Sequence, residues 1–267
     1  MKNAIYQLCP PLIWNFLKRH FSPPIPVPPA PEVRLYGNIG NFATFEEVAM
    51  ECGPGYRNPA ILERTAKNTA AIQRQTMISQ LNIRLLAALQ YVGAMHICDF
   101  GGALGAHYFH LRHLLNIERW TVVELEETVR LGTERFADGV LDFSTIMEPA
   151  PVILSSGSLQ YTPDPHAQLQ ALIDMNPDFL VLDKVPILSE QRITMQRVHP
   201  SLFGEEILLP CMFFSEEKLR AQLSSMRLVM EWGLPDYQPF LDGVQHDAFH
   251  GFVLRRDARM GRRHRAS

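Results

Sequence analysis

The sequence predicts an α/β fold with a doubly wound sheet, and three observations carry that prediction. From Met95 onward, short apolar runs alternate with segments of helical periodicity. One run, Ile97-Cys98-Asp99-Phe100, ends beside an acidic residue and passes into a glycine-rich turn, Gly101-Gly102-Ala103-Leu104-Gly105. The next run reaches a second acidic residue, Glu124. Strands alternating with helices imply parallel pairing and right-handed crossovers.

In chain order, the first segment is 1–34. Pro11 suits the first position of a short helix carrying Leu12, Ile13, Trp14, Phe16, Leu17 and Phe21. Asn3, Gln7, Pro10 and Asn15 break the stretch too often for a membrane span, and no small-residue cleavage site follows. Docking on the parent domain or on a second subunit in a homodimer is one expectation, and an interfacial, membrane-peripheral helix is the other. Prolines from Pro23 to Pro31 then enforce an extended spacer.

Residues 35–92 read as a helical cap. Thr44 can cap a helix through Glu46, Glu47 and Val48; Gly53-Pro54-Gly55 breaks it. Pro59 opens a long helical region with Ile61, Leu62, Ala66, Ala70, Ile78, Leu81, Leu85, Leu86 and Leu89 at helical spacing. Such an insert before the first strand of the sheet is expected to close over the strands' carboxyl ends.

Residues 93–256 read as the sheet domain. Candidate strands are 95–100, 120–125, 140–143, 152–156, 179–183, 228–232 and 251–254, about seven in all, and candidate helices are 106–115, 126–136 and 165–175. Asp164 before Pro165 is a good cap followed by a good first position. Residues 257–267, with Arg259, Arg262, Arg263, His264 and Arg265, form a basic tail. It suits a solvated end or a contact with anionic lipid or a phosphorylated carrier.

The formal net charge of −3 gives no overall basic field and so argues against a nucleic-acid partner. Cys9, Cys52, Cys98 and Cys211 are far apart and read as free thiols in a reducing, cytoplasmic setting. His107, His110 and His113 share a broad helix face, and His246, Asp247 and His250 cluster in a turn. Neither set has a converging ligand signature, so no metal is expected.

The glycine turn carries the chemistry. Glycines let a ligand approach the backbone, and loops at the carboxyl ends of strands form the binding crevice of open α/β sheets. Glu124 stands about 20 residues on, where a carboxylate can take a ribose diol. That pairing fits a dinucleotide or S-adenosylmethionine (SAM). The glycine spacing after Asp99, with the acidic residue directly before the turn, favours SAM over a nicotinamide or flavin.

The chain resembles a bacterial family of class I SAM-dependent methyltransferases associated with cell-surface polysaccharide genes. The matching stretches are 99–105, 120–124, Leu154-Ser155-Ser156-Gly157-Ser158-Leu159-Gln160-Tyr161, Asp183 with Arg192, Thr194 and Gln196, and Pro210-Cys211-Met212-Phe213-Phe214-Ser215. Tyr36-Gly37, Phe45-Glu46-Glu47 and Gly55-Tyr56 extend the likeness upstream. It implies a Rossmann-like sheet of the class I methyltransferase type and SAM as cofactor, and says less about the acceptor. Ala103 departs from the glycine usual at its position in methyltransferases.

Candidate cofactor-binding residues are Asp99, Gly101, Gly102, Ala103, Gly105, Glu124, Ser155, Ser156 and Gln160. Candidate catalytic residues are Tyr161, Asp183 and His199, since a hydroxyl acceptor needs a base. Tyr36, Tyr56, Tyr161 and Arg192 are candidates for acceptor binding, with Lys184 and Arg197 adding charge for an anionic acceptor. Structural alternatives are that Tyr161 covers the sheet edge, Asp183 braces Arg192, His199 is a loop histidine, and Arg192 and Arg197 form surface ion pairs. The expected activity is methyl transfer to a small-molecule or sugar-type acceptor in surface polysaccharide biosynthesis. A SAM-binding scaffold or regulator, or a membrane-peripheral assembly factor, is the competing reading.

Overall fold

Gly37 and Gly40 hold φ of 105° and 81°, a region closed to an α-helix of L-residues, so the described chain begins with a strand, β1 (Gly37–Phe42). The computed structural model describes residues 36–75 and 81–257. The N-terminal helix, the proline spacer, Ile78 and residues 258–267 of the basic tail lie outside them. The helical reading of 36–42 is thereby corrected. Helix begins at α1 (Phe45–Glu51), where Thr44 Oγ1 accepts from Glu47 N at 3.1 Å and the Glu47 carboxylate accepts from Ala43 N at 2.9 Å. A 3₁₀ turn (Gly55–Arg57) leads to α2 (Pro59–Gln73), capped by Asn58 with proline at its start. Asn82 caps α3 (Ile83–Val92), and left-handed Gly93 ends it.

The remaining elements are β2 (His96–Phe100), α4 (Ala106–Leu111), β3 (Arg119–Val123), α5 (Glu126–Arg135), β4 (Leu141–Ser144), β5 (Val152–Ser156), a 3₁₀ turn (Leu159–Tyr161), α6 (Pro165–Asp174), β6 (Phe179–Leu188), β7 (Arg192–Val198), α7 (Pro200–Phe203), β8 (Ile207–Ser215), α8 (Glu216–Leu223), β9 (Arg227–Gly233), β10 (Phe240–Leu241), β11 (Val244–Gln245) and β12 (Phe249–Arg255). The strands β4-β3-β2-β5-β6-β12-β9 form one continuous stretch of sheet, parallel through β6 and then antiparallel at β12 and β9. These are the seven runs seen in the sequence. Their order is Rossmann-like and doubly wound.

Alternation along the central strands sends successive side chains to two cores. Ile97, Leu154, Val181 and Val253 face one, with Leu85 and Leu89 of α3 and Leu104, Leu111 and Trp120. Cys98, Ile153, Leu180, Leu182, Phe252 and Leu254 face the other, with Leu169 and Leu172 of α6 and Leu219 of α8. Helices on both faces explain why these strands read as continuous apolar runs.

An appended, mostly antiparallel stretch of sheet is the feature the sequence did not reveal. Beyond Asp183, β6 continues to Leu188, and its end pairs with β8 through Ile187↔Phe214 and Leu188↔Ser215. β8 pairs with β7, β7 with β1, and β1 with β10. Asp242 and Gly243, both at positive φ, turn β10 into β11, a two-residue turn suited to a hairpin. Among the described residues, no helix is long and apolar enough to cross a membrane. Cys52, Cys98 and Cys211 are buried and free.

Candidate functional site

The chain leaves β2 toward β3 and β4 on one side, then returns to place β5 on the other side of β2. The loops after β2 and β5 therefore part at a topological switch point, where open α/β sheets place their ligand crevice. A cleft of about 490 Å³ lies there, lined by 101–103, Glu124, Ser156, Ser158, Tyr161, Tyr56 and His107 among others.

The two loops are laced together. Ser158 Oγ donates to Phe100 O at 2.8 Å and lies 2.7 Å from Ser155 Oγ. A Cβ on Gly101 would fall 2.3 Å from Ser158 Cβ, and one on Gly102 would fall 2.3 Å from Asp99 Oδ2. Close approach as well as positive φ thus requires glycine at 101. Ala103 has φ 51°, which costs an L-residue about 1–2 kcal/mol. Its N–H is held by Glu124 Oε1 at 3.2 Å, while Glu124 Oε2 accepts from Leu125 N at 2.9 Å. Burial raises the Glu124 pKa, against the pull of these two backbone donors.

Asp99 sits beneath the turn, 1% exposed, and does not line the cleft. Its Oδ2 accepts from Trp120 Nε1 at 3.1 Å, and its Oδ1 has no hydrogen-bond partner among the described residues. Burial pushes its pKa up to about 7, with Trp120 lowering it and Glu124 adding to the rise. Gly105, Ser155 and Gln160 also stand behind the wall: Gly105 faces Leu141, and Gln160 Nε2 donates to Lys184 O at 3.4 Å.

On the acceptor side the structure keeps some candidates and removes others. Tyr56 and Tyr161 meet in the cleft with ring centroids 5.1 Å apart. Tyr161 donates its O–H to Gln196 Oε1 at 2.8 Å, and burial holds its pKa well above the usual phenol value. It therefore presents a neutral ring, not a phenolate. Asp183 is fully buried and accepts from Asn82 Nδ2 (2.9 Å), Ser156 Oγ (3.0 Å) and Trp232 Nε1 (3.3 Å). It ties α3, β5 and β9 together and lies outside the cleft lining, and its partners are these three side chains and not Arg192, contrary to the expected brace. Arg192 instead pairs with Asp242 and donates to Gly40 O at 2.9 Å. His199 Nδ1 accepts from Ser201 N at 3.1 Å to cap α7, and its ring packs on Tyr36 at 4.5 Å. Tyr36, Arg192 and His199 thus belong to the appended sheet and its rim, and none lines the cleft. The reason is that the chain after β6 extends this second sheet and does not fold back over the crevice.

His107, in the first turn of α4, does line the cleft. No hydrogen bond holds its ring among the described residues. Burial first, then the charges of Lys184 and His110, push its pKa down to about 3, so the imidazole is neutral. Its place two residues after Gly105, at the start of the helix beyond the glycine turn, was the sequence signal for it.

No family model matches this chain, and no curated protein does. Solved structures do. The SAH-bound N-terminal domain of EvdMO1 is similar at 15% identity over 67% of this chain and 83% of that one, with a TM-score of 0.44. The Burkholderia thailandensis 1,6-didemethyltoxoflavin-N1-methyltransferase is similar at 15% identity over 81% and 92%, with a TM-score of 0.46. The mitomycin 7-O-methyltransferase MmcR is similar at 16% identity over 80% and 61%, with a TM-score of 0.48. These likenesses are remote, and the site stands on its own geometry.

Proposed function

We propose that this chain is a SAM-dependent methyltransferase acting on a small-molecule or glycan-related acceptor, in the cytoplasm and in the service of surface polysaccharide synthesis. One observation carries the cofactor: Glu124, at the carboxyl end of β3, faces the glycine turn that follows the neighbouring strand β2. A carboxylate so placed can accept from both hydroxyls of a ribose, and the turn beside it has no side chain at Gly101 and Gly102 to block a ligand. Beneath the turn, Asp99 keeps one carboxyl oxygen without a hydrogen-bond partner among the described residues. The association of the resembled family with cell-surface polysaccharide genes supports the glycan reading.

SAM supplies an electrophilic methyl group on sulfur. The chain's own work is then alignment and exclusion of water. Glu124 and the 101–103 backbone would hold the ribose side of the cofactor, and the loop from Ser156 to Ser158 would hold its amino acid part. Tyr56 and Tyr161 shield the acceptor side. In this reading residues 93–256 form the cofactor domain and 35–92 the cap that contributes Tyr56, with 1–34 and 257–267 as attachments.

Calorimetric titration with S-adenosylhomocysteine (SAH) tests the proposal. The wild type should bind, and Glu124→Ala should bind about 10- to 100-fold more weakly, the loss of a charge-assisted hydrogen bond worth about 1.5–3 kcal/mol. No binding to the wild type, or equal binding to both, overturns it.

A further inference from the structure

The cleft lining has an unusual charge pattern for a protein expected to hold an anionic acceptor. Among the described residues it contains no lysine, arginine or aspartate. Its ionisable members are Glu124, assigned above to the cofactor, His107 and the two tyrosines. The nearby cations stand outside that lining: Lys184, whose charge reaches His107, runs beside Gly157 with Nζ 5.6 Å from the Tyr237 ring centroid, Arg192 pairs with Asp242, and Arg197 pairs with Glu206 at 3.7 Å. An acceptor carrying phosphate or carboxylate would find no cation in the cleft wall and would lie beside the carboxylate of Glu124.

What the cleft does offer is two tyrosine rings, Pro163 and a neutral imidazole with no hydrogen-bond partner among the described residues. Flat apolar faces pack against a ring, and a free imidazole nitrogen accepts from a hydroxyl. Resting on the methyltransferase reading, we propose that the acceptor is an uncharged hydroxylated ring packed on Tyr56 and Tyr161, with its reacting hydroxyl hydrogen-bonded to His107. His107 takes the hydroxyl proton as the O–CH3 bond forms and the S–CH3 bond breaks, the bonding pair staying on sulfur; the proton then passes to solvent. A weakly basic imidazole is enough for this, because an oxygen that has gained a methyl group and still carries its proton is far more acidic than imidazolium. His107 is neutral before the step, so its lone pair is available.

The chemistry is shared by two kinds of molecule, sugars and phenols, and the test separates them. SAH-saturated protein is titrated by calorimetry with matched pairs: methyl β-glucoside against glucose 1-phosphate, and catechol against phenyl phosphate. The same uncharged compounds are then incubated with SAM and read by mass spectrometry for a gain of one methyl group. The expected result is that an uncharged member binds at least tenfold more tightly than its phosphorylated partner and is methylated. The sugar or the phenol arm shows which source it comes from. His107→Ala should keep SAH affinity within twofold and lower turnover of that ring by a factor of about 100 or more, and His107→Gln, which keeps an acceptor oxygen, should restore part of its binding. Tighter binding of the phosphorylated member, no binding of any uncharged ring, or full turnover in His107→Ala overturns the inference. Failure of SAH itself to bind would instead overturn the methyltransferase reading.

Discussion

Glu124 holds Ala103 in a left-handed conformation by accepting its N–H at 3.2 Å, so the residue proposed to bind the ribose also fixes the turn that meets the cofactor. The two functions compete for one carboxylate oxygen, and they separate by mutation. Ala103→Gly should remove the strain of φ 51° and raise stability by about 0.5–1 kcal/mol, the relief of about 1–2 kcal/mol being partly offset by glycine's greater freedom when unfolded. Urea unfolding measures it. SAH affinity should change less than threefold, because the backbone contact and Glu124 remain.

Gly101 tests the close approach of the two loops. Gly101→Ala places a Cβ 2.3 Å from Ser158 Cβ at φ 70°. The expected outcome is a loss of about 2–4 kcal/mol in urea unfolding together with weaker SAH binding. Adding Ser158→Gly to this variant should recover part of the loss, and an equal loss in the double variant would show that the contact with Ser158 is not the cause.

Asp183 accepts three hydrogen bonds in full burial. Asp183→Ala strands Asn82, Ser156 and Trp232 and should destabilise by about 3 kcal/mol or more in urea unfolding. Arg192→Ala, by contrast, removes a partly exposed pair on the appended sheet and should cost about 1 kcal/mol or less. SAH affinity and turnover in that variant should match the wild type. A tenfold loss of turnover would return Arg192 to the acceptor site.

Asp99 and His107 give opposite dependences of stability on pH. Asp99 is raised from 3.8 to about 7, so its burial favours the protonated acid. Its contribution is full below about pH 4 and is lost as pH rises through 7. His107 is lowered from 6.5 to about 3, so its contribution is present above about pH 6.5 and is lost as pH falls toward 3. Relative to the wild type, Asp99→Asn should make stability rise more steeply with pH between 4 and 7. His107→Gln should make it fall over the same window. Urea midpoints measured across that range check both signs.

The main sheet was legible in the sequence because its strands are covered on both faces. Runs such as 152–156 and 179–183 must then be apolar throughout, and the helices between them carry their own caps, Asp164-Pro165 among them. The appended sheet was not legible for the opposite reason. β1 and β7 are only partly buried, β1 holds two glycines, and β6 runs through Pro186 before it meets β8, so no sustained alternation marks them. Their pairing partners lie far along the chain, as in Asn38↔Gln196 and Asn38↔Leu241.

The sequence by itself determined the turn from Asp99 to Gly105, the acidic residue at the end of the next strand, and the loop bearing Tyr161. Each is a local feature whose residue types follow from backbone conformation or from burial of a strand. Only the tertiary structure decided which polar side chains reach the cleft. It turned Asp183 inward to three donors, carried Arg192 and His199 away on a second sheet, and left His107 facing the cleft with Tyr56. That outcome depends on where long-range pairings place each element, and spacing along the chain does not encode the direction in which a side chain then points.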